Sequence, residues 1–207
     1  VNLTLRLDHD DKAVPRTMEL IAGLGNNNIG AHTGDRIDIL SNMWNEIWEM
    51  TDGDICWHGN NDMVFVTKGW DDRVRECFAA CPDMITMVYC DDGYQHEKIA
   101  IDSFTSRAAT KVWGYFLPPY FKALGNDPWI TEVYKAIDRW HYLPDVLIKH
   151  NHWCISPEHM KFKDEVYDYR AKWNSEADAL YHSPLMVERR KQDAEKLRKH
   201  IESKKES

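Results

Sequence analysis

The chain has 207 residues, 43% of them apolar and 29% charged, with a formal net charge of −8. This is the size and balance of one globular domain with an appendage; ten glycines and eight prolines exclude collagen-like and low-complexity chains, and no apolar run suggests a membrane span. The charge is uneven: residues 157–207 hold 12 Lys/Arg against 11 Asp/Glu, leaving 14 against 23 for residues 1–156, an acidic body suited to gathering cations rather than to phosphate-backbone binding as its principal task.

Leu3-Thr4-Leu5-Arg6-Leu7 alternates apolar and polar, then breaks into Asp8-His9-Asp10-Asp11, which predicts a strand ending in an acidic loop. The opening Val1-Asn2-Leu3-Thr4 already reads as strand rather than signal peptide, and the missing initial Met reads as upstream sequence removed. Residues 14–23 predict a helix with Pro15 near its start and Gly23 or Gly25 at its end. Asn26-Asn27-Asn28-Ile29-Gly30 is turn chemistry leading into a short extended piece. Ile37, Leu40, Met43, Trp44, Ile47 and Trp48 recur at three- and four-residue steps, an amphipathic helix with Asp35 as N-cap and Gly53 as stop.

Ile55-Cys56-Trp57 predicts a short buried strand that runs into His58-Gly59-Asn60-Asn61-Asp62. Residues 70–80 predict a helix with Asp71 and Asp72 in its first turn, and Met84–Cys90 a strand stopping at Asp91-Asp92-Gly93. Arg107 and Lys111 fall on a helix, Leu117-Pro118-Pro119-Tyr120 is a rigid loop, and residues 129–139 are helical. Val146-Leu147-Ile148 is extended and leads to His150-Asn151-His152. From about residue 158 the chain is charged and helical, without strand signals. We therefore expect a body of residues 1–155 and a charged helical C-terminal extension of residues 156–207. The five cysteines are odd in number and lack zinc-ribbon spacing, which points to a reducing, cytoplasmic setting, or the host cytoplasm if the source is viral.

Strands alternating with helices predict an α/β fold, a mostly parallel twisted sheet with helices on both faces. In such sheets ligands bind beyond the carboxyl ends of the strands. Asp8/Asp10/Asp11, Asn60/Asn61/Asp62 and Asp91/Asp92 each follow a strand and are expected at one edge. So many carboxylates repel one another unless cations enter, and oxygen ligands suit Mg²⁺ or Mn²⁺. Any one cluster alone reads better as turn formers and helix caps, whereas three in register after three strands read as a site. Alternation puts His150 and His152 on one side of an extended segment, and imidazole is a ligand for Mn²⁺ or Zn²⁺.

Asp54-Ile55-Cys56-Trp57-His58-Gly59-Asn60-Asn61-Asp62, after a helix containing Ser41-Asn42-Met43-Trp44-Asn45, resembles the centre of a GT-A glycosyltransferase. The resemblance continues through Gly69-Trp70-Asp71, Trp113-Gly114-Tyr115-Phe116-Leu117-Pro118-Pro119-Tyr120-Phe121, Gly125-Asn126-Asp127-Pro128-Trp129 and the terminal HxH, covering residues 3–153. It is closest to inverting, family-2-like enzymes. It implies a Rossmann-like GT-A fold in which a D-x-D-type motif holds Mn²⁺ or Mg²⁺ against a nucleotide-diphospho-sugar donor.

Residue by residue, the resemblance makes Asp62 the first metal ligand. Asn60 stands where the first Asp is usual, a neutral and weaker ligand, with Asn61 between them. His150 or His152 completes the metal shell. Arg6, Asp8 and Asp10 fall on the nucleotide base or ribose, and Asp127 on the catalytic base. It also implies a further strand ahead of residue 3, so that the chain reads as a piece of a longer fold. Asp127 reads locally as a helix N-cap before Pro128 as well. Trp113, Tyr115, Phe116, Tyr120 and Trp129, with Asp91 and Asp92, are candidates for the acceptor site, because aromatic faces stack on sugar C–H surfaces. Core packing claims about half of such rings.

The expected activity is metal-dependent transfer of a sugar, with inversion, from a nucleotide-diphospho-sugar to the hydroxyl of a glycan, a small molecule or, least supported, a nucleic acid touched by the basic run Arg189-Arg190-Lys191. The alternatives are a metal-assisted phosphohydrolase and, given Asn60 and Asn61, a non-catalytic sugar- or nucleotide-binding module.

Overall fold

The computed structural model describes residues 1–122, 124–155, 157–163 and 165–205. The chain is α/β. Its first strand, β1 (Leu3–Asp8), is followed by α1 (Val14–Leu24) and β2 (Ile29–Gly34), and β1 and β2 pair in parallel as a separate two-stranded sheet. Next come α2 (Ser41–Met50), β3 (Ile55–Trp57), β4 (Met63–Phe65), α3 (Trp70–Ala79), β5 (Met87–Asp91), β6 (Phe104–Ser106), α4 (Arg107–Trp113), α5 (Asn126–Ala136) and β7 (Trp140–His150). A 3-10 turn (Pro157–Phe162) leads to α6 (Glu165–Ala171), α7 (Asn174–Tyr181) and α8 (Pro184–Lys205).

The main sheet has the order β3-β6-β5-β7-β4 and is mixed, not mostly parallel as the alternation predicts. Only β5 and β7 pair in parallel; β3–β6, β5–β6 and β4–β7 are antiparallel. The reason is two short strands, β4 and β6, that turn back along their neighbours. The carboxyl ends still gather. Because β3 and β5 both run against β6, they share a direction, and β7 runs with β5. Their ends, at residues 57, 91 and 150, therefore lie along one edge of the sheet. The Asp8 cluster ends a strand of the other sheet.

Alternation along β5 sends Met87 and Tyr89 to one face and Val88 and Cys90 to the other. The first face packs with Trp113, Trp129, Ile130, Val133 and Tyr134 of α4 and α5, and with Met186, Ala194, Leu197 and Ile201 of α8. The second packs with Val74 and Phe78 of α3 and with Phe104, Val146 and Ile148. Helices thus cover both faces. The C-terminal helix is part of this core: its buried Asp193 accepts hydrogen bonds from Tyr115 Oη and from Trp129 Nε1, the latter at 3.3 Å. Burying an aspartate among rings requires such donors.

Three local predictions shift. The helix expected from Asp35 begins at Ser41 without a side-chain cap, and the Asp35 carbonyl accepts from Arg6 instead. The strand expected from Met84 begins at Met87, because Met84 has φ 60° and closes a turn. The helix expected from residue 129 begins at Asn126, so Asp127 sits inside its first turn and caps nothing. Gly125 precedes it with φ 129°, and a Cβ there would fall 2.7 Å from the Phe121 ring.

Candidate functional site

The site is built on the register of β4 against β7. Met63 pairs with His150 and Phe65 with Ile148, and Asn151 N–H donates to the Asp62 carbonyl at 2.9 Å. This ladder sets Asp62 beside the HxH segment. His150 N–H also donates to the Asp92 carbonyl at 2.9 Å, which ties in the end of β5. Asp62 Oδ2 lies 3.3 Å from His150 Nε2, and both side chains are under one-tenth exposed. The His150 and His152 rings stand 5.1 Å apart, nearly edge to face.

Burial opposes charge on the Asp62 carboxyl, but the His150 imidazole and the Tyr167 hydroxyl, donating at 2.7 Å, outweigh it and hold its pKa below the usual value. Burial and the neighbouring His150 lower the His152 pKa, which favours the neutral imidazole that ligates metals. His152 Nδ1 lies 2.7 Å from Cys154 Sγ. Tyr167 belongs to α6, which continues to Arg170, whose guanidinium donates to the carbonyls of Asp38 at 2.9 Å and Lys122 at 2.8 Å. Residues 167–170 thus run from Asp62 to the loop that follows β2.

Across the rim stands Asp127, whose Oδ1 lies 3.0 Å from His58 Nε2. Between the two sides is Asp102, which sequence reasoning missed. It precedes β6, has φ 51°, is 4% exposed, and its carbonyl accepts from Trp57 Nε1 at 2.7 Å. Burial, reinforced by the charges of Asp127, Asp62 and Asp92, raises its pKa well above the usual carboxylate range. Asn60 Nδ2 reaches its Oδ1 at 3.4 Å.

Asp62, His150 and His152 are ligand types that a divalent cation accepts. Asp62 Oδ1, both ring nitrogens of His150, Asp92 Oδ2 and Asp102 Oδ2 are buried without hydrogen-bond partners. Each such buried, unpaired polar atom calls for a partner. One carboxylate with two imidazoles suits Mn²⁺ better than Mg²⁺, which prefers oxygen and water. Asp62, His150 and His152 are spaced more widely than Asp91, Asp92 and His96, the one triple among the described residues with a ligand atom from each within 4.8 Å. In that triple Asp92 Oδ1 already accepts the N–H groups of Tyr94, Gln95 and His96 at 2.7–2.9 Å, and Asp91 accepts from Gly93.

The remaining candidates divide. Asp62, Asn60, His150 and His152 come together, with Asp92 and Asp127 at the same rim, and Asn61 stands exposed on the loop. Arg6 is 5% exposed and is spent on Glu46 and the carbonyls of Leu7, Gly34 and Asp35, so its guanidinium anchors β1 to α2 rather than facing a ligand. Asp8 and Asp10 both pair with Arg36. Trp113, Phe116 and Trp129 are buried in the core, and Tyr115 and Tyr120 pack against it. Arg107 donates to the carbonyls of Trp48 and Gly53, both at 3.0 Å, and so closes the end of α2.

No protein-family model, no curated protein and no solved structure matches this chain. None of the five cysteines is in a disulfide, and among the described residues no helix is long and apolar enough to cross a membrane.

Proposed function

We propose that this chain is a metal-dependent glycosyltransferase of the GT-A kind that moves a sugar from a nucleotide-diphospho-sugar to an acceptor hydroxyl with inversion. The observation that carries the reading is the meeting of Asp62 with His150, on the rim that also holds Asp127. Asp62, His150 and His152 would hold Mn²⁺, with Asn60 and Asp102 beside them; the cation supplies neutralisation of the leaving diphosphate. Asp127 is one-third exposed, with one oxygen fixed by His58. It takes the proton of the acceptor hydroxyl as that oxygen attacks the anomeric carbon. The bond from that carbon to the diphosphate oxygen breaks on the opposite side, and the nucleoside diphosphate leaves with the electron pair.

A thermal-shift panel tests this. Mn²⁺ alone is expected to stabilise modestly, and Mn²⁺ with UDP or GDP more strongly. No response to any nucleoside diphosphate with metal overturns the reading. A metal-assisted phosphohydrolase is the second reading, favoured by the mutual influence of Asp62, Asp92, Asp102 and Asp127, enough carboxylate for two cations. Mn²⁺-dependent cleavage of a simple phosphate ester, without release of UDP from UDP-glucose, would select it.

A further inference from the structure

We infer that His58 is the positioning residue for Asp127, an assignment that rests on the glycosyl-transfer reading and adds a part to it. His58 follows β3, its ring is 4% exposed, and its Nε2 lies 3.0 Å from Asp127 Oδ1. A carboxylate oxygen accepts, so Nε2 carries the proton. The ring is wedged edge-on between Trp44, at 6.2 Å between centroids, and Phe116, at 6.0 Å. That socket is itself locked: Asn45 Oδ1 accepts from Phe116 N–H at 3.0 Å and Leu117 N–H at 2.8 Å, and Asn45 Nδ2 donates to the Leu117 carbonyl at 2.9 Å.

Packing alone does not account for an imidazole here. Its Nδ1 is buried with no partner, a cost that an apolar ring between Trp44 and Phe116 would not carry. What the imidazole adds is the bond to Asp127. Gly125 and the Phe121 ring fix the start of α5, and His58 then fixes one carboxylate oxygen. The other oxygen is left for the acceptor proton in a defined direction. Misplacing a reacting group by about 1 Å costs on the order of 100-fold in rate. His58 does not touch substrate in this arrangement; it acts through Asp127.

The experiment measures UDP release from UDP-glucose and GDP release from GDP-mannose, with Mn²⁺, for the wild type, His58→Phe, His58→Gln, Asp127→Asn and the Asp127→Asn/His58→Phe double variant. His58→Phe is expected to lower kcat roughly 10- to 100-fold with donor KM within about twofold, because the donor site is intact. Gln keeps an N–H near the Nε2 position, so His58→Gln is expected to recover most of the rate. On the Asp127→Asn background, His58→Phe is expected to add no further loss. Unchanged kcat in His58→Phe, or an equal loss on both backgrounds, overturns the inference and leaves the activity standing. A wild type that turns over neither donor, alone or with acceptors, overturns the glycosyl-transfer reading and this inference with it.

Discussion

Asp62 Oδ2 and His150 Nε2 lie 3.3 Å apart although they are far apart in the chain, and the pair is covered by the hydroxyl of Tyr167. The closeness follows from a three-rung antiparallel ladder, Met63–Phe65 against Ile148–His150. A cation taking this carboxylate would disturb the hydrogen bond that Tyr167 gives to its Oδ2. Tyr167→Phe is therefore expected to tighten Mn²⁺ binding severalfold, and Asp62→Asn to abolish it. Isothermal titration with Mn²⁺ checks both; weaker binding in Tyr167→Phe would make the hydroxyl a supporter of the site instead of a competitor.

Asp102 gives a pH signature. Burial first, and then the charges of Asp127, Asp62 and Asp92, hold its carboxyl pKa well above the usual carboxylate range in the native state. In the unfolded chain it ionises near ~3.9. Above that pH the unfolded state binds fewer protons than the native state, so this group makes stability fall as pH rises. Asp102→Asn is expected to raise Tm in EDTA at pH 7–8, with the gain shrinking toward pH 4. An equal Tm difference at both pH values would remove titration as the cause.

Gly59 carries the turn between β3 and the loop that leads to Asp62. A Cβ there would sit 1.9 Å from the Trp57 ring, which has no room to retreat because its Nε1 is bonded to the Asp102 carbonyl. Gly59→Ala is expected to cost about 1–3 kcal/mol of stability, as overpacking usually does. Urea unfolding measures it, and a neutral result would mean the loop relaxes freely.

The C-terminal helix offers a fourth test. Leu197 is fully buried in the cluster that holds Met87, Trp129 and Tyr134. Leu197→Ala is expected to cost about 2–5 kcal/mol. The unfolding transition of the variant, followed by tryptophan fluorescence, is expected to stay single and shift to lower urea. A second, early transition would make α8 an independently melting appendage.

The α/β class and the strands at 3–8 and 55–57 were legible in sequence, because alternation and Gly/Asp stops are local signals; the meeting of Asp62 with His150 was expected only from the resemblance. The mixed sheet was not legible. β4 and β6 are three residues each, too short for a period to register, although Met63-Val64-Phe65 is an apolar run that begins directly after Asp62. The packing of α8 was masked by its charge: Met186, Ala194, Leu197 and Ile201 form a buried stripe among Lys, Arg and Glu. The partnership of Asp127 with His58 and the intrusion of Asp102 are tertiary facts with no local trace. Local rules assigned Asp127 to capping, a role taken from it when the helix started at Asn126, two residues ahead of Pro128.

The edge of the main sheet is also the wall of the site. β4 is an outermost strand held by one ladder, and its Val64, with Val66 just beyond it, is exposed. An ion gripping Asp62 and an imidazole would staple this margin to its inner neighbour, so that occupancy and fraying oppose one another. Slow amide exchange at residues 63–65 would then serve as a gauge of loading, readable without any sugar present.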